Sequence, residues 1–215
     1  DGIQKYFFEK SPSYLTNSHF VPQRLLCVFP NAKIIFVLRD PTSRSYSHWQ
    51  HIERLKDTPE RFFQTPFESQ IDKETAILNE TGVLAAKTPE EEYHAWIKYI
   101  TYRQFIVGRG LYAIQLRQWI KVFIDHFGKD EWQKHLLIID SNQLHAEKQG
   151  AYNEVLDFLG LPRHTLDDSA NFHVGGYERM ANSTKEKLDA FYRPHNQKLH
   201  ELLSPFGIDL SWARE

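Results

Sequence analysis

The 215-residue chain carries a single cysteine, Cys27, which excludes an internal disulfide and every multi-cysteine metal cluster. A lone thiol leans toward a reducing compartment, and its simplest place is the hydrophobic core. No apolar run reaches the roughly 20 residues needed to span a bilayer. The start, Asp1-Gly2-Ile3-Gln4-Lys5, has neither a signal-peptide core nor an Arg-rich presequence, and it lacks an initiator methionine, so a piece of a longer protein is the expectation. Neither sign of charge predominates: 26 basic and 28 acidic side chains leave a formal charge of −2, so no broad positive field draws the chain onto nucleic acid or an anionic membrane. Any anion must be bound locally. Repeats, low-complexity tracts and a Walker A loop are all absent. The 11 histidines include no H-E-x-x-H or H-x-H pair; His48 and His51 share a helix face without a third ligand in view, so no metal is expected.

What is present fits one globular domain over residues 1–215, with 41% apolar and 25% charged residues. Tyr6-Phe7-Phe8 is a short apolar run of strand character. Ile34-Ile35-Phe36-Val37-Leu38 is a β-branched-rich run that reads as a strand buried on both faces, as in parallel sheets, and Leu136-Leu137-Ile138-Ile139 reads the same way. Between Glu60 and Val107 the pattern is helical with breaks near Gly82 and Thr88-Pro89. Tyr112, Leu116, Trp119, Ile120, Phe123 and Phe127 form a wide apolar stripe that ends at Gly128, a natural helix stop. Ala151 to Leu159 is a short helix stopped by Gly160 and Pro162, and residues 163–181 form a polar loop. Ser183-Thr184-Lys185-Glu186 has the form of a capping box opening a terminal helix, which Pro194 is expected to interrupt or restart. Strands alternating with helices indicate an α/β layer fold with a parallel sheet.

The strongest local signal lies where the first strand runs into a helix. Asp40 is suited to the N-cap and Pro41 to the first turn, and Ser45, Trp49, Ile52 and Leu55 trace one apolar face. Arg39 stands at the junction, where free N–H groups and the positive end of the helix dipole favour phosphate. Arg44, Ser47, His48 and His51 fall on the opposite face, an arginine fork, a hydroxyl and two imidazoles suited to an anion. An arginine paired with Asp40 beside a merely solvated helix face is the competing reading. Lys10, in Glu9-Lys10-Ser11-Pro12, stands after the first candidate strand in the same way. Paired glycines in His173-Val174-Gly175-Gly176-Tyr177 permit close approach of backbone to a ligand, or simply a turn. Gly108-Arg109-Gly110-Leu111-Tyr112-Ala113 fits the G-x-G-x-x-G/A dinucleotide pattern after a candidate strand, Phe105-Ile106-Val107. No acidic residue closes a second strand about 20 residues on, which weighs against that reading.

Taken together, these segments resemble the sulfotransferases that use 3′-phosphoadenosine 5′-phosphosulfate, most closely the sulfotransferase domain of the heparan sulfate N-deacetylase/N-sulfotransferases. The likeness is carried in order by Glu9-Lys10-Ser11-Pro12-Ser13-Tyr14-Leu15 with Val21-Pro22-Gln23-Arg24, then Pro30-Asn31-Ala32-Lys33 through Arg39-Asp40-Pro41 to Gln50-His51. It continues in Gly110-Leu111-Tyr112-Ala113 with Trp119 and Phe123, and in Tyr192-Arg193-Pro194-His195-Asn196. The resemblance implies a P-loop-like three-layer fold with a central parallel sheet flanked by helices. It implies that Arg39 and Ser47 grip the 3′-phosphate, that Lys10 lies near the transferred sulfonate, and that His51 faces the acceptor as proton acceptor or orienting group. The loop with His173, Gly175, Gly176 and Tyr177 would close over the nucleotide, although the heparan enzymes have Lys-Gly-Arg where this chain has His173, Val174 and Gly175. His48 stands where they have an aromatic residue.

The implied co-substrate is 3′-phosphoadenosine 5′-phosphosulfate, and the implied partner is a glycan or other hydroxyl or amine acceptor. The family's Gly-rich 5′-phosphosulfate loop, its lysine and its glutamate precede the segment matching Glu9, so the domain is expected to lack its first strand and that loop in this chain. Trp49, Trp96, Tyr99 and Tyr102 lie on segments that could reach a cleft as sugar platforms, although large rings are mostly buried and core is the favoured place for each, and Lys98, Arg103 and Arg109 add a positive surround for an acidic polysaccharide. Readings kept open are a non-catalytic nucleotide- or partner-binding module, a dehydrogenase-type fold, and a sulfotransferase acting on a small-molecule or lipid hydroxyl.

Overall fold

A computed structural model describes residues 7–54, 65–102, 106–167 and 178–214. The elements in chain order are α1 (Val21–Val28), β1 (Ile34–Leu38), α2 (Pro41–Arg54), α3 (Phe67–Glu80), α4 (Pro89–Tyr99), α5 (Tyr112–Phe127), β2 (Leu136–Asp140), α6 (Ser141–Ala146), α7 (Lys148–Leu159) and α8 (Asn182–Leu203). Among the described residues β1 and β2 form one parallel pair, with Ile34 opposite Leu136 and Leu38 opposite Asp140. The fold is thus α/β, with a parallel sheet and flanking helices.

Alternation along the strands divides the sheet's two faces. Phe36, Leu38, Leu136 and Ile138 join Leu116, Trp119, Ile120 and Phe123 of α5 and Leu199 and Leu203 of α8 in one core. On the opposite face Ile139 is buried, but its neighbour Val37 is 51% exposed. The expectation that β1 is buried on both faces is therefore corrected. Ile139 is covered, whereas the Val37 side of β1 opens onto a cleft. A second core gathers Ile52 of α2, Ile71 and Leu78 of α3, Trp96 and Tyr99 of α4, and Leu188 and Tyr192 of α8. Because α5 and α8 contribute to both cores, they hold the sheet and the helical region together.

Several local expectations meet a different outcome. Cys27 is exposed: the buried side of α1 is Pro22 and Leu26, and the next residue lies about 100° further round the helix. Phe7 and Phe8 are exposed and form no strand, having no partner beside them among the described residues; Tyr6 lies outside those residues. Helix α8 runs unbroken through Pro194, whose ring is exposed and which forgoes a single backbone bond while Tyr192 and Leu199 stay packed on either side. Ser183 caps nothing. The helix already starts at Asn182, and the Thr184 hydroxyl donates instead to Glu68 Oε1 at 2.9 Å, tying α8 to α3. The capping box lies at α4, where Thr88 and Glu91 exchange side-chain to backbone bonds.

Candidate active site

Both strands end in the same way. Asp40 caps α2 by accepting from the Ser43 N–H at 2.8 Å, and Asp140 accepts from the Asn142 N–H at 2.8 Å at the start of α6. Asp140 also accepts from Ser211 Oγ at 2.8 Å and Trp212 Nε1 at 3.2 Å, which pins the strand end to the C-terminal turn. In a parallel pair these two ends share one edge, the edge where α/β folds hold ligands.

A cleft of about 1180 Å³ opens there. It is lined by Lys10, Arg39, Arg44, Ser47, His48, His51 and Arg54 from the first half of the chain. Arg109, Tyr112, Gln115, Ser141, Asn142 and His145 come from the second. Lys10, Arg39, Ser47 and His51, the four described candidates from the sequence, therefore meet in one cavity. Of the other candidates, His173, Gly175, Gly176 and Tyr177 lie outside the described residues. Five Lys or Arg side chains and three histidines line the cleft, and no Asp or Glu does so among the described residues. A smaller hollow of about 630 Å³ between α1 and α5 mixes Lys121 with Asp125 and brings no such set together.

The helix face expected to carry the chemistry is organised by its buried neighbour. Ser45 is fully buried and its hydroxyl shares a 2.9 Å hydrogen bond with Tyr192, whose O–H reaches the Val107 carbonyl at 2.8 Å. Arg44 donates to the Ile106 carbonyl, and Tyr112 donates to the Arg39 carbonyl at 3.0 Å. His48 is strongly perturbed. Burial, and then the charges of Arg44, Arg109 and His51, hold its imidazole down at about 3, so it is neutral. Its buried Nδ1 has no hydrogen-bond partner among the described residues.

Sequence reading missed the opposite wall, Gln115 and Ser141 to His145, and gave Arg109 to the acceptor surround alone. The signal was legible: Ile139-Asp140-Ser141 repeats the strand, aspartate, helix order of Leu38-Arg39-Asp40-Pro41. The glycines around Arg109 are explained by packing. A Cβ on Gly108 would lie 2.2 Å from the Tyr99 hydroxyl, and one on Gly110 would lie 2.7 Å from Pro41 Cβ. They form a 3-10 turn preceded at Ile106 and Val107 by bends rather than a strand, Phe105 lying outside the described residues, which removes the basis of the dinucleotide pattern. Two of the aromatics proposed for sugar contact are core residues: Trp96 and Tyr99 are buried beneath the α3 and α8 packing, Trp49 stacks on Tyr46, and Tyr102 is exposed. Arg103 lies outside the described residues. Among the described residues no cluster of three metal-ligating side chains occurs and no helix is long and apolar enough to cross a membrane.

A parallel sheet whose C-terminal edge opens on a cationic cleft, with a capped helix leaving each strand, defines the class as an α/β protein with a cleft at the strand ends. The sulfotransferase domain family matches residues 2–199, and the chain belongs to that family. It is 29% identical over 234 residues to bifunctional heparan sulfate N-deacetylase/N-sulfotransferase 4 of Mus musculus, covering 98% of this chain and 24% of that protein. Heparan sulfate glucosamine 3-O-sulfotransferase 6 of Mus musculus is 26% identical over 229 residues, covering 95% of this chain and 56% of the relative. The chain thus spans about a quarter of the length of the bifunctional relatives it matches. In fold it is similar to a sulfotransferase from Alicyclobacillus acidocaldarius, with a TM-score of 0.61 and 23% identity over 95% of this chain and 66% of the other.

Proposed function

We propose that the cleft binds 3′-phosphoadenosine 5′-phosphosulfate and that the protein transfers its sulfonate to an amino or hydroxyl group of a carbohydrate. One observation carries the reading: a chain with a net charge of −2 gathers five cationic side chains and three histidines in one cavity with no lining carboxylate among the described residues. Sulfuryl transfer resembles phosphoryl transfer, in that charge stabilisation and alignment supply most of the rate. In this reading Arg39, at the start of α2, and Ser47, two turns on, hold the 3′-phosphate. Lys10 stands at the sulfonate as a point charge, and His51 at the acceptor orients it or accepts its proton. The half-buried, neutral His48 suits an acceptor surface that needs a hydrogen-bonding ring without another positive charge. Relatives named for heparan sulfate favour a glycan as acceptor.

The test is calorimetric titration with 3′-phosphoadenosine 5′-phosphate. Removing one charge-assisted phosphate contact is expected to cost about 1.5–3 kcal/mol, so Arg39→Ala should weaken binding accordingly and Ser47→Ala by less. Unchanged affinity in Arg39→Ala would remove the donor assignment. Transfer of labelled sulfonate to a glycan, lost in His51→Ala with nucleotide affinity retained, would support the acceptor side of the reading.

A further inference from the structure

The turn Ile106 to Gly110 carries Arg109 into the cleft, and its backbone is held from two sides. All of its early N–H groups converge on one carboxylate. Glu74 of α3, fully buried, accepts from Ile106 N at 2.5 Å, Val107 N at 2.7 Å and Gly108 N at 3.2 Å, and also from Tyr99 Oη at 3.0 Å and Gln70 Nε2 at 2.9 Å. Three of these partners are backbone N–H groups and one is an amide N–H, which can only donate, so the set favours the ionised carboxylate. Burial pushes the Glu74 carboxyl up, while these same bonds hold it back. The carbonyls of the turn are also taken. Ile106 O accepts from Arg44, Val107 O from Tyr192, and the Gly108 and Arg109 carbonyls from Gln115 Nε2, each at 3.3 Å.

So much specification for five residues fixes one side chain in the cleft, that of Arg109. It stands close enough to Arg44 to feel that charge, and close enough to His48 for its own charge to be felt there. Burial and Arg44 both work against the charged Arg109, and the charge of Glu74 works for it. The guanidinium lies in a cleft lined by four other cations and three imidazoles, and oxyanions are what a planar fork pairs with best.

We propose that Arg109 is an oxyanion-binding residue of the cleft, and that the buried carboxylate of Glu74 is the positioning residue that sets it there. The inference rests on reading the cleft as an anion site, and the anion is a phosphate of the nucleotide or an acidic group of the acceptor. Arg109→Ala, Arg109→Lys and Glu74→Gln are to be compared with the unaltered protein. The ligands are 3′-phosphoadenosine 5′-phosphate, inorganic pyrophosphate, and a matched pair of acidic and neutral oligosaccharides, with thermal unfolding followed in parallel.

Arg109→Ala is expected to unfold at an unchanged temperature and to lose about tenfold to a hundredfold in affinity for one oxyanion ligand, with partial recovery in Arg109→Lys. A loss confined to the nucleotide identifies its phosphate. A loss confined to the acidic oligosaccharide, with the neutral one unaffected, identifies the acceptor. Glu74→Gln should weaken the same ligand in the unaltered background and add nothing in Arg109→Ala. Should that variant fail to fold, Tyr99→Phe, which removes only one bond to Glu74, is expected to show a smaller loss with the same dependence on Arg109. Retained affinity for every ligand in Arg109→Ala overturns the inference while leaving an Arg39-dependent nucleotide site intact. Affinity that falls equally in both backgrounds overturns the role of Glu74. If pyrophosphate binds through Arg109 but the nucleotide does not bind at all, the inference stands and the donor reading fails.

Discussion

His48 shows how strongly the cleft shapes a single residue. In an unfolded chain its imidazole takes up a proton near 6.5. In the folded protein burial, Arg44, Arg109 and His51 delay that to about 3. His195 on α8 behaves alike, lowered to about 4 mainly by burial and by Lys198, with Glu92 opposing. Between these values and 6.5 the unfolded state binds more protons than the folded one, so stability is complete above about 6.5 and is lost as the pH falls below it. Allowing for partial exposure, each histidine should remove about 1–2 kcal/mol between pH 6.5 and 4.5. Thermal unfolding followed across that range should show a shallower slope in His48→Gln and in His195→Gln. Slopes identical to that of the unaltered protein in both variants would assign the acid loss to carboxylates alone. Bound 3′-phosphoadenosine 5′-phosphate should lessen the part due to His48, since its phosphate charge favours the imidazolium form. The helix face shared by Arg44, Ser47, His48 and His51 was readable from the spacing. The neutrality of His48 was not, because it comes first from burial in the folded cleft, and Arg109 adds to it from a turn some sixty residues further along the chain.

At the level of elements, local chemistry and packing governed different parts of the chain, and only the first was legible. The two strands, the stripe of α5 and its stop at Gly128, with φ of 92°, follow from residue pattern and from one left-handed backbone position. Asp40 acts as the cap that its place before Pro41 suggested. Helix α8 was misread at Ser183 and Pro194 because its start and continuity depend on contacts with α3 and the second core rather than on its own sequence. The glycine pair around Arg109 was ambiguous for the same reason: a dinucleotide loop and a packing joint can have one spelling. That distinction yields a prediction. Gly110→Ala drives a methyl group against Pro41 and to 2.8 Å from Tyr192 Cε1, so it should cost about 1–3 kcal/mol in denaturant unfolding and disturb Arg109 as well. Gly150→Ala, in α7 with nothing nearer than 3.7 Å, is expected to stabilise the protein by about 0.4–1 kcal/mol. Equal effects at the two positions would mean that the close contact at Gly110 relaxes freely and that the turn is less fixed than its hydrogen bonds indicate.

Over the whole molecule the decisive property is the distribution of charge rather than its sum. A net charge of −2 excludes a broad attraction for polyanions, yet folding brings Lys10, Arg39, Arg44, Arg54, Arg109 and His145 to one edge of the sheet, where the lining side chains among the described residues are cationic or neutral. Composition is blind to this segregation, since it depends on a parallel pairing that sets Leu38 beside Asp140. The field that results is local. Screening shortens to about 8 Å at physiological ionic strength, so attraction beyond the cleft mouth is weak there and grows as salt is removed. If the acceptor is an acidic glycan, its affinity should fall several-fold as salt rises from about 50 to 200 mM, more gently than for a protein with an extended basic surface. A neutral glycan of equal length should show little change. Initial-rate measurements of sulfonate transfer at fixed, saturating donor would read this as a rise in KM with kcat nearly constant, because screening acts on encounter rather than on the aligned complex. Efficient sulfation of a hydrophobic phenol or lipid with salt-independent KM, together with indifference to polysaccharides, would overturn the carbohydrate assignment and leave the donor site, tested separately through Arg39, untouched.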